Sequence, residues 1–372
     1  MNTELSHFAT RLRGLISNPH SALRAPRFAE LALELFALQF QYNPAYRKIC
    51  FTRNLTPETV KDWTQIPAVP TAAFKELELT SIPPQARTAV FHSSGTTEQK
   101  PSRHFHNAES LAVYESSLWA WFEQNLFSNS KLKIQNSKLI CLTPSPEQVP
   151  HSSLVHMFET VRQKHGAMET AFLGELASDG SWTLDFGKTL AALGDNSKIK
   201  TQNSKLILGT AFSFVHLLDY LVERDLRVEL PPGSRVMETG GYKNRSRTLP
   251  KSELHALITE HLGVPSKNIL CEYGMSELSS QAYDSQIHPP SSTRHHRVFH
   301  FPPWARVQII SPETGREVGE GGTGLIRIYD LANVFSVAAI QTEDLGVRRG
   351  DGFELIGRAQ LAEPRGCSLM NA

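Results

Sequence analysis

The sequence predicts an α/β fold with mostly parallel sheets flanked by helices, followed by a small β-rich lobe. Between residues 86 and 297, short apolar strands alternate with segments of helical periodicity, the pattern of a parallel sheet covered by helices. From Val298 the pattern changes to closely spaced short strands separated by turns. We therefore expect a helical N-terminal segment at 1–85, an α/β body at 86–297 and a β-rich lobe with a C-terminal tail at 298–372.

The bulk composition excludes several classes of protein. The chain has 372 residues and a net charge of +1, so charge gives no reason to expect a nucleic-acid partner. Its four cysteines show no C-x-x-C spacing, which argues against a zinc ribbon or a disulfide framework and favours a reducing cytoplasm. The N-terminus lacks the apolar core of a signal peptide, and no apolar run approaches membrane-spanning length. We expect a cytoplasmic protein without a membrane span.

Residues 1–50 are predicted to be helical. Apolar side chains over residues 28–40 recur at helical spacing, and the helix should end at Tyr42 because an Asn-Pro pair follows. A helix start is expected at 56–59, and Thr71 is expected to cap a short helix that follows it.

The remaining elements are predicted from the same patterns. Helices are expected over residues 108–127, 153–165, 212–225 and 250–262. Strands of the body are expected over residues 88–91, 139–143, 167–173, 206–209, 236–239 and 269–273. Strands of the lobe are expected over residues 307–310, 323–329, 337–341 and 353–356. Two nearly repeated polar segments, 129–140 and 196–207, are interpreted as surface insertions without chemistry.

Residues 91–104 contain a candidate phosphate-binding loop. Hydroxyl side chains surround a glycine that can take positive φ: Ser93, Ser94, Thr96 and Thr97 around Gly95. Backbone N–H groups in such a loop form a concave anion site, and Lys100 and Arg103 would neutralise the bound charge. The spacing is not that of a Walker P-loop, and a polar surface turn is the alternative interpretation.

Several polar turns follow apolar strands, and in an α/β sheet ligands bind beyond the carboxyl ends of the strands. The turns are the candidate loop and the segments 239–243, 272–277 and 341–344, so they should converge on one edge. There Glu277 could hold Mg²⁺, which takes carboxylate and phosphate oxygens. Asp344 could accept two ribose hydroxyls, and Tyr273 offers a flat face to a base. Each residue alone is more simply structural, but their order and placement together favour a nucleotide site.

This combination resembles the adenylate-forming superfamily of acyl- and aryl-CoA ligases. The motifs occur in the order of that family: the loop at 93–100, Gly240-Gly241, Tyr273-Gly274-Met275-Ser276-Glu277, Thr342-Glu343-Asp344 and Gly357-Arg358. One departure is Glu343, which stands where the family motif has glycine. The resemblance implies an adenylate-forming ligase body that uses ATP and Mg²⁺.

A more specific resemblance is to the LuxE acyl-protein synthetase family, the activating subunit of the fatty acid reductase of bacterial bioluminescence. It rests on Ser94-Gly95-Thr96-Thr97, Leu208-Gly209-Thr210-Ala211-Phe212-Ser213, Glu272-Tyr273-Gly274-Met275-Ser276-Glu277, Asp330-Leu331-Ala332-Asn333 and Arg365-Gly366-Cys367-Ser368-Leu369. The resemblance implies that the chain lacks the mobile C-terminal domain of larger ligases. Lys100 and Arg103 would then carry more of the charge neutralisation. It also implies that Cys367 accepts the acyl group as a thioester, and Arg365 would lower the pKa of that thiol modestly.

The resemblance implies an AMP-forming ligase of the long-chain fatty acid–protein (luciferin component) type. The implied catalytic residues are Cys367, Glu277, Ser276 and Lys100, with Glu277 as the Mg²⁺ ligand. The implied nucleotide-binding residues are Ser93, Ser94, Gly95, Thr96, Thr97, Gly240, Gly241, Tyr273, Asp344 and Arg358. The substrate would be a carboxylic acid, with a fatty acid favoured, while an acyl reductase partner and a homo-oligomer stay open. Two other functions also stay open: an acyl- or aryl-CoA ligase similar to phenylacetate-CoA ligase, and a non-catalytic subunit that binds an acyl group or nucleotide.

Overall fold

The N-terminal segment is helical, as predicted. The structure is a computed structural model that describes residues 3–18, 25–93, 100–127, 137–166, 169–178, 180–194, 203–241, 247–287 and 296–359. Its first helices are α1 (Thr3–Ile16), α2 (Ala25–Tyr42) and α3 (Pro44–Thr52). Asn43 joins α2 to α3, and its side chain accepts a hydrogen bond from the Tyr46 N–H, which caps α3. Pro44 fits the first position of a helix because its missing N–H has no partner there.

Two local predictions in this segment are wrong. Residues 57–59 form a turn and begin no helix; a short 3₁₀ helix follows at Trp63–Gln65, capped by Asp62. The short helix α4 (Ala73–Glu76) is present, but no side chain caps it, and Thr71 contributes only its carbonyl, to the Phe74 N–H. Turn-forming residues and helix caps share the same chemistry, so the sequence did not separate them.

Among the described residues, four of the five remaining helices lie close to their predicted positions. They are α5 (Ala108–Phe127), α6 (Ser153–His165), α7 (Phe186–Leu193), α8 (Ala211–Glu223) and α9 (Lys251–Leu262). Of these, α7 was not predicted, while α5 and α6 have the predicted bounds. No helix among the described residues combines the length and the apolar character needed to cross a bilayer.

The strands include the predicted ones and several that were not predicted. In chain order they are β1 (Val69–Pro70), β2 (Ala89–His92), β3 (Arg103–His106), β4 (Lys138–Cys141), β5 (Thr170–Phe172), β6 (Gly174–Leu176), β7 (Trp182–Leu184), β8 (Lys205–Thr210), β9 (Arg235–Thr239), β10 (Ile269–Tyr273), β11 (Ala282–Ile287), β12 (His296–His300), β13 (Ala305–Ile310), β14 (Thr323–Asp330), β15 (Ala339–Arg349) and β16 (Gly352–Arg358). The predicted lobe strand at 337–341 starts two residues late and continues to Arg349. The pairs β2–β3 and β6–β7 form separate small sheets.

One large sheet connects the body to the β-rich lobe. Its strand order is β13-β14-β15-β16-β12-β11-β10-β9-β8-β4-β5, and β1 pairs with β15. Neighbouring strands in the part β10-β9-β8-β4-β5 of this order pair in parallel. Neighbouring strands in the part from β13 to β10 pair antiparallel. The predicted boundary at 297/298 falls inside β12, which pairs with β11 on one side and β16 on the other. The sheet is therefore continuous across it, and the division into domains stays a prediction.

Both faces of the parallel strands are buried. Along β8, Ile207 packs on the side of α8 and α9, while Leu206 and Leu208 pack on the side of α5 and α6. A third core joins the N-terminal helices to the lobe, with Phe8 and Ile340 among its buried members. Residues of the N-terminal segment therefore pack against the lobe.

Candidate active site

The candidate site lies where β10 ends and where the β2–β3 hairpin and the lobe meet it. The Ser102 hydroxyl donates to Glu277 Oε1 at 2.5 Å, which joins the hairpin to the turn after β10. The Tyr273 hydroxyl donates to Asp344 Oδ2 at 2.8 Å, which joins β10 to the lobe. The structure therefore brings together residues from three predicted motifs. Four predicted loop residues and the predicted acyl acceptor lie outside the described residues: Ser94, Gly95, Thr96, Thr97 and Cys367.

The hairpin holds both ends of the candidate phosphate loop together. Strand β2 pairs antiparallel with β3 up to His92 and Arg103. Beyond this pair, the Ser93 hydroxyl accepts from the Ser102 N–H at 3.0 Å, and the Ser93 N–H donates to the Ser102 carbonyl at 3.3 Å. Ser93 and Ser102, which flank the candidate loop, thus lie next to each other, and Ser102 contacts Glu277.

The two predicted phosphate-neutralising cations pair with nearby acids. Lys100 Nζ lies 3.2 Å from Glu76 Oε2, and the Arg103 guanidinium lies 3.7 Å from Glu78 Oε1. The Lys100 pair is well exposed, and such surface pairs contribute at most about 1 kcal/mol. A polyphosphate at the hairpin could therefore compete with these acids for the cations.

Glu277 is a buried carboxylate whose partners are neutral hydroxyls. Its side chain accepts from Ser102 and, at 3.1 Å, from the Ser276 hydroxyl. Among the described residues, no lysine or arginine forms an ion pair with it, although it is only 5% exposed. A buried charge normally has a compensating cation, and a carboxylate beside hydroxyl oxygens is a donor set that suits Mg²⁺. The residues present therefore fit the predicted metal.

Two side chains hold the backbone of the turn that carries Ser276 and Glu277. His104 Nδ1 lies 2.8 Å from the Ser276 carbonyl, and the Asn333 amide donates to the Glu277 carbonyl at 2.9 Å. Burial lowers the pKa of His104 to about 4, with the bond to Ser276 acting the other way. The ring is therefore neutral near pH 7, and its Nδ1 carries the proton because a carbonyl can only accept.

Glu272 links the ends of β9 and β10. Its carboxylate accepts a hydrogen bond from the Thr239 hydroxyl, one residue before the Gly240-Gly241 turn. Its Oε1 atom lies 2.3 Å from the position that a Cβ on Gly274 would occupy. A side chain at position 274 would therefore have to displace the Glu272 carboxylate. Burial raises the pKa of Glu272 to about 7, although the bond from Thr239 acts in the opposite direction.

Glu272→Gln should remove a pH dependence of stability. The folded chain keeps a proton on Glu272 between about pH 4.5 and 7, where the unfolded chain has released it. The free energy of unfolding of the wild type should therefore fall as the pH rises through this window, by on the order of 2 to 3 kcal/mol relative to the variant. Urea unfolding of both proteins from pH 4.5 to 8 measures the difference. Parallel curves for the two proteins would contradict the raised pKa.

The predicted adenine residues lie at the ends of β9 and β10. Asp344 lies in the middle of β15, because this strand continues through the segment 341–344 that was predicted to be a turn. Arg358 is the last residue of β16. Gly240 has a φ of +70°, which favours glycine, and a Cβ on Gly241 would meet no heavy atom within 4 Å. The Tyr273 ring is only 7% exposed and packs against three phenylalanines: Phe299, Phe301 and Phe353. Asp344 lies opposite Arg358 in the antiparallel register of β15 and β16. Burial raises the pKa of Asp344, while Tyr273 and Arg358 act to lower it.

Sequence reasoning missed the residues that support Glu277. Ser102 follows the candidate loop and was not assigned a role, and neither was His104. Asn333 belongs to the Asp330-Leu331-Ala332-Asn333 segment, which carried the family resemblance without a function. The part of this segment in the family resemblance was the available signal, but nothing local in the sequence connects it to Glu277.

The three described cysteines are buried, which makes their thiols unreactive. Cys50, Cys141 and Cys271 are buried free thiols. Burial raises the pKa of Cys50 to about 11 and also raises the pKa values of Cys141 and Cys271. Since the thiolate is the reactive form, these groups are poor nucleophiles.

Thiol titration should therefore find a single fast-reacting cysteine in the native protein. A disulfide reagent such as dithionitrobenzoate at pH 8 should modify one thiol per chain, at Cys367, and all four after denaturation. Peptide mapping of the native adduct identifies the site. Rapid modification of Cys50 would contradict its burial, and no modification at all would contradict an accessible Cys367.

Comparison with known proteins places the chain in a family. The profile of the LuxE family, described as acyl-protein synthetase, matches residues 21–372. A long-chain-fatty-acid–luciferin-component ligase from Aliivibrio fischeri is 24% identical over 370 residues, covering 92% of this chain and 87% of that protein. The protein of the same name from Vibrio harveyi is 22% identical over 351 residues, covering 90% of this chain and 84% of that protein.

Solved structures show the same fold. The crystal structure of 2-hydroxyisobutyryl-CoA ligase with 2-HIB-AMP matches with a TM-score of 0.64 at 13% identity, over 91% of this chain and 68% of that chain. Its open conformation with 2-HIB-AMP and CoA matches with a TM-score of 0.60 at 14% identity, over 87% and 74% of the two chains. The predicted fold of an adenylate-forming ligase body is thereby confirmed. Because the family profile covers nearly the whole sequence, this chain belongs to the LuxE acyl-protein synthetase family.

Proposed function

We propose that this ligase activates a long-chain fatty acid with ATP and transfers the acyl group to its own Cys367. Membership of the LuxE family and the adenylate-forming fold make the chain a ligase that forms acyl adenylates. The observation that supports the proposed site best is Glu277, a buried carboxylate without a cationic partner among the described residues. It lies at the carboxyl end of β10, against the base of the candidate phosphate loop.

In the first step, a carboxylate oxygen of the fatty acid attacks the α-phosphorus of ATP. The bond from this phosphorus to the bridging oxygen breaks, and pyrophosphate leaves. The protein must hold two anions together and spread the charge that develops, so positioning and electrostatics supply most of the rate.

Different residues of the site bind different parts of the two substrates. The chain at 93–100 binds the β- and γ-phosphates, with Lys100 and Arg103 released from their acids to neutralise them. The Ser276 hydroxyl donates to the α-phosphate or to the attacking carboxylate. Glu277 would hold Mg²⁺, and the bound ion would supply positive charge to the phosphate oxygens. Gly240, Gly241 and Tyr273 line the adenine site, and Asp344 and Arg358 hold the ribose.

In the second step, the Cys367 thiolate attacks the carbonyl carbon of the acyl adenylate. A carbon–sulfur bond forms, the bond to the phosphate oxygen breaks and AMP leaves. The Ala359 N–H donates to the Glu343 carbonyl at 2.8 Å, which places Ala359 beside the predicted ribose residues. Cys367 is eight residues further along the chain, and eight extended residues span up to about 27 Å. This length suffices for the thiol to reach the edge of the site.

A thioester on Cys367 must be passed to a further acceptor before the enzyme can act again. We include an acyl reductase as that acceptor in the proposal because the family resemblance implies one. The thiol must stay reduced, which agrees with the cytoplasmic location that the cysteine pattern predicts.

ATP–pyrophosphate exchange with a panel of acids tests the proposal. Fatty acids of increasing length should stimulate exchange more than aromatic acids, and exchange should not require CoA. A product assay with added CoA distinguishes the alternative, because a CoA ligase would release an acyl-CoA in proportion to ATP consumed. Absence of exchange with every acid would support a non-catalytic subunit and contradict the proposal.

A further inference from the structure

The buried segment 330–338 makes hydrogen bonds to the backbone of the site turn. It connects β14 to β15 and contains the Asp330-Leu331-Ala332-Asn333 motif. Every residue of this segment is buried. Its polar groups make hydrogen bonds to the turn after β10, to the N-terminal helices and to residues 79–81. It is therefore a shared anchoring point for three parts of the chain.

Asn333 makes the contact that is nearest to Glu277. Its Nδ2 donates to the Glu277 carbonyl at 2.9 Å and to the Val337 carbonyl at 3.0 Å, so both amide protons are used. Its Oδ1 is buried without a partner among the described groups. An amide turned the other way would place an oxygen against two carbonyls, so the two acceptors fix its orientation. The side chain is thus oriented so that both N–H groups donate hydrogen bonds, while its oxygen lacks a partner among the described groups.

Asp330 fixes the chain immediately after Glu277. Its Oδ2 accepts from the N–H groups of Ser279 and Ser280 at 2.9 and 2.8 Å, and its Oδ1 accepts from the Ser280 hydroxyl at 2.7 Å. Together with Asn333 it restrains the backbone from Glu277 to Ser280. The carbonyl of Glu277 and the chain that follows it are therefore both bound to the same segment.

The N-terminal helical region also makes hydrogen bonds to the segment 330–338. Gln39 donates to the Asn333 carbonyl at 2.8 Å and accepts from the Ala338 N–H at 2.9 Å. Asn43 donates to the Ser336 carbonyl at 3.2 Å. These contacts stabilise the segment without reaching the site turn. A substitution there should therefore lower stability without changing the position of Glu277.

We infer that Asn333 is a positioning residue that sets the direction of the Glu277 carboxylate through the backbone carbonyl of Glu277. This inference rests on the proposed metal-binding role of Glu277. With its carbonyl held by Asn333 and its carboxylate held by Ser102 and Ser276, Glu277 is restrained at both ends. Loss of the Asn333 amide frees one end, leaves two buried carbonyls unpaired and allows the carboxylate to turn away from the metal. Supporting groups of this kind change metal affinity about 10- to 100-fold.

The test compares Asn333→Ala with Asn43→Ala. Both asparagines are buried, and both amides bind carbonyls of the 330–338 segment, but only Asn333 contacts the site turn. ATP–pyrophosphate exchange is measured over a range of Mg²⁺ concentrations, together with the free energy of unfolding in urea. We expect Asn333→Ala to raise the Mg²⁺ concentration for half-maximal exchange at least about tenfold. Asn43→Ala should lose stability while keeping the wild-type Mg²⁺ requirement.

Each outcome decides the inference. An unchanged Mg²⁺ requirement in Asn333→Ala, or an equal shift in Asn43→Ala, would overturn it. If Glu277→Ala abolishes exchange while Asn333→Ala behaves as the wild type, only the positioning role fails. If Glu277→Ala exchanges normally, the metal role fails and the inference fails with it. Should Asn333→Ala not fold, Asn333→Ser keeps one donor and should give a smaller shift in the same direction.

Discussion

Exchange between ATP and pyrophosphate is expected to fall to background in Glu277→Ala, a loss on the order of 10³-fold or more. The carboxylate is the buried negative group at the end of β10, and hydroxyls from two separate motifs already orient it. Its removal takes away the proposed Mg²⁺ ligand and with it the neutralisation of the departing pyrophosphate. Exchange in the presence of a stimulating fatty acid measures the loss directly.

Two controls separate this effect from misfolding. Glu277 forms no ion pair with a described lysine or arginine, so its removal leaves no unpaired buried cation, and the variant should keep a cooperative unfolding transition. Glu277→Gln keeps the size of the side chain and both hydroxyl contacts but removes the charge, and it should be nearly as inactive. Wild-type exchange in the alanine variant would show that Glu277 does not hold the metal.

Cys367→Ser is expected to separate the two half-reactions. Adenylation needs the nucleotide site and not the thiol, so exchange should stay within about twofold of the wild type. A serine hydroxyl is a far weaker nucleophile than a thiolate, so hydroxylamine-labile acylation of the protein should be lost. Labelled fatty acid, ATP and a denaturing gel with and without hydroxylamine provide the measurement.

Cys50→Ala is the matched control for this variant. Cys50 is fully buried, and burial raises its pKa to about 11, so it cannot serve as the acceptor. This variant should therefore acylate like the wild type at temperatures where it is folded. Label that persists on Cys367→Ser would instead show that a different residue accepts the acyl group.

The sequence predicted helices and buried parallel strands well because their signals are local. Helix α5 and helix α6 have the predicted bounds, since each combines helical periodicity with clear ends. Strands β11 and β12 were missed because their buried side carries polar groups. Asp284 on β11 is paired with Arg297 on β12, so apolar and polar residues do not alternate there. Strands β6 and β7 have three residues each, too few to show a period.

The candidate site was predicted in its motifs but not in its supporting contacts. Tyr273 ends a recognisable strand, Glu277 follows it closely and Asp344 belongs to a short motif, so a sequence pattern suffices to single them out. The partner of Glu277 is Ser102, which is 175 residues away in the chain. Such a contact depends on how the hairpin packs against β10, and no local pattern encodes that packing. The bond from Tyr273 to Asp344 was missed for the same reason, because it joins the body to the lobe.

Intact-mass measurement of the wild-type protein, incubated with ATP, Mg²⁺ and a mixture of fatty and aromatic acids, tests directly whether the protein acylates itself. We expect a mass increase equal to one fatty acid minus water. This increase should depend on ATP, disappear with hydroxylamine and map to the peptide that contains Cys367. A protein whose mass stays unchanged with every acid, while acyl-CoA accumulates when CoA is added, would instead be a CoA ligase that does not use Cys367 as acceptor.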